Sequence, residues 1–232
     1  MNKDIKIKEL FKDIYGVYFQ ELNQEYLIDN SEKSHSNKCA SCGDKCISYS
    51  KRQDLPYFKL TDNIKTLVIA ESPASGEDIN KLGYVFGWEQ FGKPSKAIIK
   101  HYENYFFKLL NLNREETYIT DAVKCYSHKS NFSKAFKNCN QYLLKEIEIL
   151  EPKKILVISK QSSVIKFLNE NKEKYNYEIT IIPHPSNQNI GKIPTVSELF
   201  IKIGELNHNE KWIRIGNEIN EEYKKFRNKL NQ

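Results

Sequence analysis

Four short apolar runs, alternating with stretches of helical character, dictate most of what this chain can fold into. They are TLVIA (66–70), TYITDAV (117–123), KILVIS (154–159) and EITIIPH (178–184). Each is β-branched or aromatic and too short for a core helix, which is the pattern of a buried strand. Between and around them, KAIIKHYENYFFKLLNL (96–112), NCNQYLLKEIEILEP (138–152) and QSSVIKFLNENK (161–172) space apolar residues three and four apart, as an amphipathic helix requires. Pro152 stops the second of these helices, and a serine is placed to cap the third. Strands alternating with helices make a parallel sheet covered on its faces. The expected fold is α/β, three layers (α/β/α) around a central four-stranded parallel sheet. Helical periodicity in IKELFKDIYGVYFQELNQEYL near the start, and a charged helical stretch at the end, add to this core. Residues 1–232 then read as one domain: a helical extension over 1–35, the core over 36–195, and closing helices over 196–232.

In open parallel sheets ligands bind beyond the carboxyl ends of the strands. Three of those ends carry unusual chemistry: ESPASGED (71–78), TDAVKC (120–125) and HPSNQN (184–189). The first sets carboxylates, a rigid proline and small residues directly after an apolar strand. A solvated turn needs nothing so specific.

Composition narrows the partner. Among 232 residues, 39% are hydrophobic, enough for a substantial core, and the net charge of +6 favours a polyanion over an acidic partner. No apolar run approaches the roughly 18 residues that span a bilayer, and the charged, helical N-terminus does not read as a signal peptide. A soluble, cytoplasmic monomer is expected. Three of the five cysteines cluster as Cys39, Cys42 and Cys46, and two stand apart as Cys125 and Cys139. In a reducing compartment such clustering suggests a metal or an iron–sulfur group more than disulfides.

Taken in order, these segments resemble the uracil-DNA glycosylase superfamily, and most closely its iron–sulfur family 4 type. That family has a G-E-x-P-G-x-x-E-D loop, where this chain has Ala70-Glu71-Ser72-Pro73-Ala74-Ser75-Gly76-Glu77-Asp78. Both glycines have become alanine, while Glu71, Pro73, Glu77 and Asp78 match. The family's G-x-P-F appears as GYVF (83–86), its L-x-R-E-x-x-Y-I-T-N-V-V-K-C as LNREETYITDAVKC (112–125), and its closing H-P-S at His184, Pro185 and Ser186. A C-x3-L segment at Cys139 and the "EPKKIL" strand start (151–156) complete the series. The resemblance runs from about residue 39 to 195.

The resemblance implies a DNA glycosylase that hydrolyses the N-glycosidic bond of a flipped base and leaves an abasic site, without a lyase step. Phe86 would stack on the everted ring. His184 would donate to the base as negative charge develops on it, and Glu71 would orient water beside the sugar. The loop backbone at Ala70, Ser72 and Ala74 would meet the base edge or a flanking phosphate. Lys124, Ser186 and Asn187 would contact DNA. Relatives insert an apolar wedge after the histidine, but here only Ile190 is apolar.

Asp121 departs from the family's asparagine. An amide offers uracil both an acceptor and a donor, whereas an ionised carboxylate offers acceptors only. Uracil, cytosine and modified cytosine therefore all stay open as the base, and a protonated Asp121 would mimic asparagine. Four cysteines would hold a [4Fe–4S] cluster, Cys42, Cys46, Cys125 and Cys139 being the first choice and Cys39 the alternative. Zinc uses the same ligands. Two other readings of function remain open: an antiviral defence glycosylase acting on modified bases of foreign DNA, and a DNA-binding module without catalysis.

Overall fold

The computed structural model describes residues 2–15, 53–58, 62–73, 82–86, 104–110, 112–158, 161–182 and 184. Helix α1 (Lys3–Tyr15) comes first, followed by β1 (Gln53–Leu55), β2 (Thr66–Ala70), β3 (Leu82–Tyr84) and β4 (Thr117–Asp121). Helix α2 (Phe132–Leu150), β5 (Lys154–Val157), α3 (Ser162–Tyr175) and β6 (Glu178–Ile181) complete the described chain. The four apolar runs all become strands of one parallel sheet, in the order β4-β2-β5-β6, flanked by helices. This is the three-layer α/β/α architecture that the alternation implies.

The strand interiors explain why the runs carry no polar alternation. Leu67, Val68, Ile69, Ile119, Ile155 and Val157 are all buried, because a parallel sheet is covered on both faces. Strand order reverses at β2: the chain leaves β2 for β4 on one side, then passes back across it to β5 on the other. The ladder fixes Ala70 opposite Asp121 and Thr66 opposite Thr117, so β2 and β4 end level with one another.

A second, two-stranded parallel sheet pairs β1 with β3. Just after β1, Tyr57 and Ile119 exchange both backbone hydrogen bonds, each at 2.8 Å. That bridge covers the edge of β4, which would otherwise present unpaired N–H and C=O groups. Phe58 stacks on Tyr118 at 5.1 Å between ring centroids, continuing the cover with side chains.

Helix boundaries differ from expectation in instructive ways. Helix α2 starts at Phe132 rather than 138, because Phe132 and Phe136 extend its buried stripe through a segment whose lysines made it look like loop. Its end falls at Leu150, before Pro152, with Glu151 in the left-handed conformation. Helix α3 has no side-chain cap bond, and Gln161 rather than a serine holds its N-cap position. Within the 96–112 segment, Asn104–Leu109 forms a π-helical turn that buries Tyr105 and Phe106. The closing helices over 196–232, residues 16–35 of the N-terminal extension and Ile190 lie outside the described residues.

Helix α1 is part of the central core. Ile7, Leu10, Phe11, Ile14 and Tyr15 form its buried face at three- and four-residue spacing. Phe11 meets Phe58 at 6.0 Å and Tyr15 at 5.7 Å. At the other end, Lys3 Nζ donates to the Leu150 carbonyl at 3.2 Å and pairs with Glu151 at 3.0 Å. A cation there satisfies a terminal carbonyl of α2 and complements its dipole. Truncating a fully buried phenylalanine costs about 3–5 kcal/mol, so Phe11→Ala is expected to lower the urea midpoint of the whole protein in one transition. An unchanged midpoint would mean that α1 is dispensable to the core.

Candidate active site

The site grows from the carboxyl ends of β2 and β4. Beyond both strands the parallel ladder continues into the loops. Ala122 N–H donates to Ala70 O at 2.9 Å, and Val123 N–H donates to Glu71 O at 3.0 Å. Glu71 and Asp121, each at the end of its strand, are therefore fixed relative to one another by backbone bonds. Glu71 and Ser72 are half-buried, Pro73 and Ala70 are buried, and Asp121 is 3% exposed. A reversal of strand order at β2, with polar groups gathered at its carboxyl end, is the place where α/β sheets bind ligands.

Two further groups converge there. The Phe86 and His184 rings meet edge to face, 6.4 Å apart at 70°. On its other side Phe86 contacts Phe106 at 5.5 Å. Phe86 has φ of 58°, a left-handed backbone that is a genuine outlier for a bulky residue. Such strain costs of order 1–3 kcal/mol and collects at functional sites. His184 follows β6 and is exposed overall, yet burial of part of its ring lowers its pKa below 6.5, while the charge of Glu71 pulls it back up. Glu71 thus lies within electrostatic reach of His184. The structure brings Phe86, His184 and Glu71 into one neighbourhood, with Asp121 joined to it through the β2–β4 ladder. Ala74, Ser186 and Asn187 lie outside the described residues, as do Glu77 and Asp78.

Lys124 is not where a phosphate contact requires it. Its side chain is 1% exposed, and its ammonium donates to Glu146 Oε2 at 2.5 Å, Thr120 Oγ1 at 2.7 Å and the Asp121 carbonyl at 2.8 Å. Glu146, fully buried on α2, accepts in addition from Tyr118 Oη and Thr120 Oγ1, each at 3.1 Å. The DNA-contact expectation fails because the cation is enclosed and already surrounded by acceptors. Sequence reading missed Glu146 altogether, although a signal existed: a carboxylate occupies the apolar stripe Tyr142, Leu143, Glu146, Ile147, Leu150. Tyr15 from α1 is buried nearby, and desolvation, followed by the charges of Glu146, Asp121 and Asp54, raises its pKa well above 10.0 and keeps it a neutral phenol.

Cys125 closes the loop after β4 and Cys139 sits on the buried face of α2, both as buried thiols outside any disulfide. Two enclosed thiols suit ligation of a metal or cluster by thiolates. Among the described residues no group of three or more metal-binding side chains occurs. Cys39, Cys42 and Cys46 lie outside them.

A four-stranded parallel sheet with its polar residues gathered past β2, β4 and β6 defines an α/β/α protein with its binding site at the strand ends. Residues 58–203 match the family model described as the uracil DNA glycosylase superfamily, and the chain belongs to that superfamily. It is 25% identical over 162 residues to the type-4 uracil-DNA glycosylase of Saccharolobus solfataricus, a match covering 61% of this chain and 70% of that protein. Among the described residues no helix is long and apolar enough to cross a membrane.

The His184 environment has a sign that can be measured. An unfolded chain takes up the imidazole proton near 6.5 while the folded chain resists it to a lower pH. The neutral ring therefore contributes stability at neutral pH that fades as pH falls below 6.5. An NMR titration should place the His184 midpoint under 6.5, and Glu71→Gln should move it lower still by removing a charge that opposes desolvation. A midpoint that rises in Glu71→Gln would contradict this arrangement.

Proposed function

We propose that this protein is a monofunctional DNA glycosylase that hydrolyses the N-glycosidic bond of an everted base and leaves an abasic site. The observation that carries this reading is the meeting of Phe86, His184 and Glu71 beyond the β2 and β6 strand ends in a chain of the uracil DNA glycosylase superfamily. A base taken out of the stack needs an aromatic face, and stacking on such a ring is worth about 1–3 kcal/mol. Phe86 supplies that face.

Chemistry follows from where charge develops. As the bond from C1′ to the base nitrogen breaks, its electron pair leaves with the base and C1′ becomes cationic. A neutral His184 donates a hydrogen bond to the base carbonyl and stabilises the departing anion more than the intact nucleotide. Lowering of its pKa by burial keeps the ring in that neutral donor form at neutral pH. Glu71, half-buried at the end of β2, holds a water on the sugar side, offsets the positive charge and accepts the proton as the water adds to C1′. Lys124, the lysine that follows β4, is enclosed and does not act as a nucleophile, so in this reading the product remains a plain abasic site.

Asp121 reads the base edge in this proposal. Its ionised carboxylate accepts from the N3–H of uracil but repels O4, and it accepts from the N4 amine of cytosine. With one proton it presents a donor and an acceptor together, matching either uracil or cytosine. The preferred base is accordingly uracil or a cytosine-type base. Cys125 and Cys139, together with two thiols from Cys39, Cys42 and Cys46, would hold a [4Fe–4S] cluster as a structural cross-link between the loop after β4 and α2.

The test is a panel of duplexes bearing uracil, hypoxanthine, cytosine and hydroxymethylated or glucosylated cytosine, scored for alkali-labile abasic sites. Cleavage of uracil or a cytosine-type base is expected. Retained DNA binding without cleavage of any duplex would sink the catalytic reading. Glu71→Gln and His184→Asn are each expected to lower kcat by about 10²–10⁴-fold with little change in stability. Asp121→Asn should move preference toward uracil. Iron and acid-labile sulfide in the anaerobically purified protein would support the cluster, whereas stoichiometric zinc would replace it.

A further inference from the structure

We propose that Lys124 is a positioning residue that sets the base-reading edge of Asp121 and with it the base preference. This rests on the glycosylase reading above, although the positioning itself is a property of the fold. The turn 121–124 is held on two sides. Two backbone bonds tie it to β2 through Ala70 and Glu71. The third attachment is the Lys124 ammonium, which folds back onto the carbonyl of Asp121 three residues earlier while bonding Thr120 and Glu146. The carbonyl it grips is that of Asp121 itself, so the bond anchors the backbone from which the Asp121 side chain projects.

The network is saturated with bonds. Thr120 Oγ1 accepts from Lys124 and donates to Glu146 Oε1, Tyr118 Oη donates to the same oxygen, and Glu146 Oε2 takes the ammonium. Stability alone does not account for such an arrangement. A fully buried ion pair is often matched or exceeded by apolar residues of similar volume, because desolvating two charges offsets their attraction. An apolar pair at 124 and 146 would fill the core as well, but it has no donor for the Asp121 carbonyl. Directionality is what the charged pair adds: an ammonium with three acceptors fixed by a strand and a helix has one arrangement, and the peptide attached to it inherits that arrangement.

The direct test is the double variant Lys124→Met with Glu146→Gln. Methionine keeps the volume of the stem, and the glutamine amide oxygen still accepts from Tyr118 and Thr120, so no buried charge is stranded. Amide hydrogen exchange at Ala122 and Val123 is expected to speed up about tenfold or more while Ile119, bonded to Tyr57, stays protected. With the base panel, the ratio of kcat/KM between the best and next-best base should fall by about tenfold, because loosening the reader lowers discrimination. An unchanged ratio in the double variant, or exchange that rises equally across the sheet, would overturn the proposal by showing a purely structural pair. If the parent protein cleaves no base, the glycosylase reading fails, and the exchange at Ala122 and Val123 alone decides whether Lys124 holds the turn.

Discussion

The hydrogen-bond ladder between β2 and β4 does not stop where the strands stop, and the site depends on that continuation. Ala122 and Val123 carry it two residues further, onto the carbonyls of Ala70 and Glu71. Loops that leave adjacent parallel strands normally diverge at once, each following its own crossover. Here they travel together long enough to deliver a carboxylate from each strand at a defined separation. Reversal of strand order at β2 then opens the space beyond them, since the connections from β2 and β4 leave toward different neighbours.

Behind that front, the molecule uses polar groups where a bundle of aliphatics would have been simpler. Tyr118 and Thr120 come from β4, Glu146 from α2, and Lys124 from the loop between them. Aromatic packing continues from this polar knot: Tyr118 stacks on Phe58, Phe58 meets Phe11 at a tilt, and Phe11 meets Tyr15 edge to face. The N-terminal helix is thereby connected, ring by ring, to the strand that carries Asp121.

Much of the sheet was legible in the residues because burial on both faces leaves an unbroken apolar run, and four such runs with helical stretches between them admit few topologies. Carboxyl-end chemistry was legible for the same reason: Glu71, Asp121 and His184 each interrupt or follow such a run. Other features were silent because they depend on tertiary pairing. Tyr57 bridges Ile119 by backbone atoms alone, which no side-chain pattern announces. Lys124 was misjudged because a lysine in a loop is normally solvated, and only the presence of Glu146 across the core changes its meaning. Phe132 and Phe136 were hidden among serines and lysines, so α2 started later in the sequence reading than in the structure. Cys125 and Cys139 both belong to the buried core, which their spacing in the chain does not announce.

The left-handed backbone at Phe86 sets two requirements against each other. Residues that occupy that conformation without penalty are glycine and, less readily, asparagine or aspartate, and none of them offers an aromatic plane. Evolution or engineering that relaxes the main chain at this position therefore removes the ring, and any choice that keeps a ring keeps the strain. If Phe86 stacks on a base as proposed, greater thermal robustness at this position competes with that role, and position 86 then accepts other aromatics and little else.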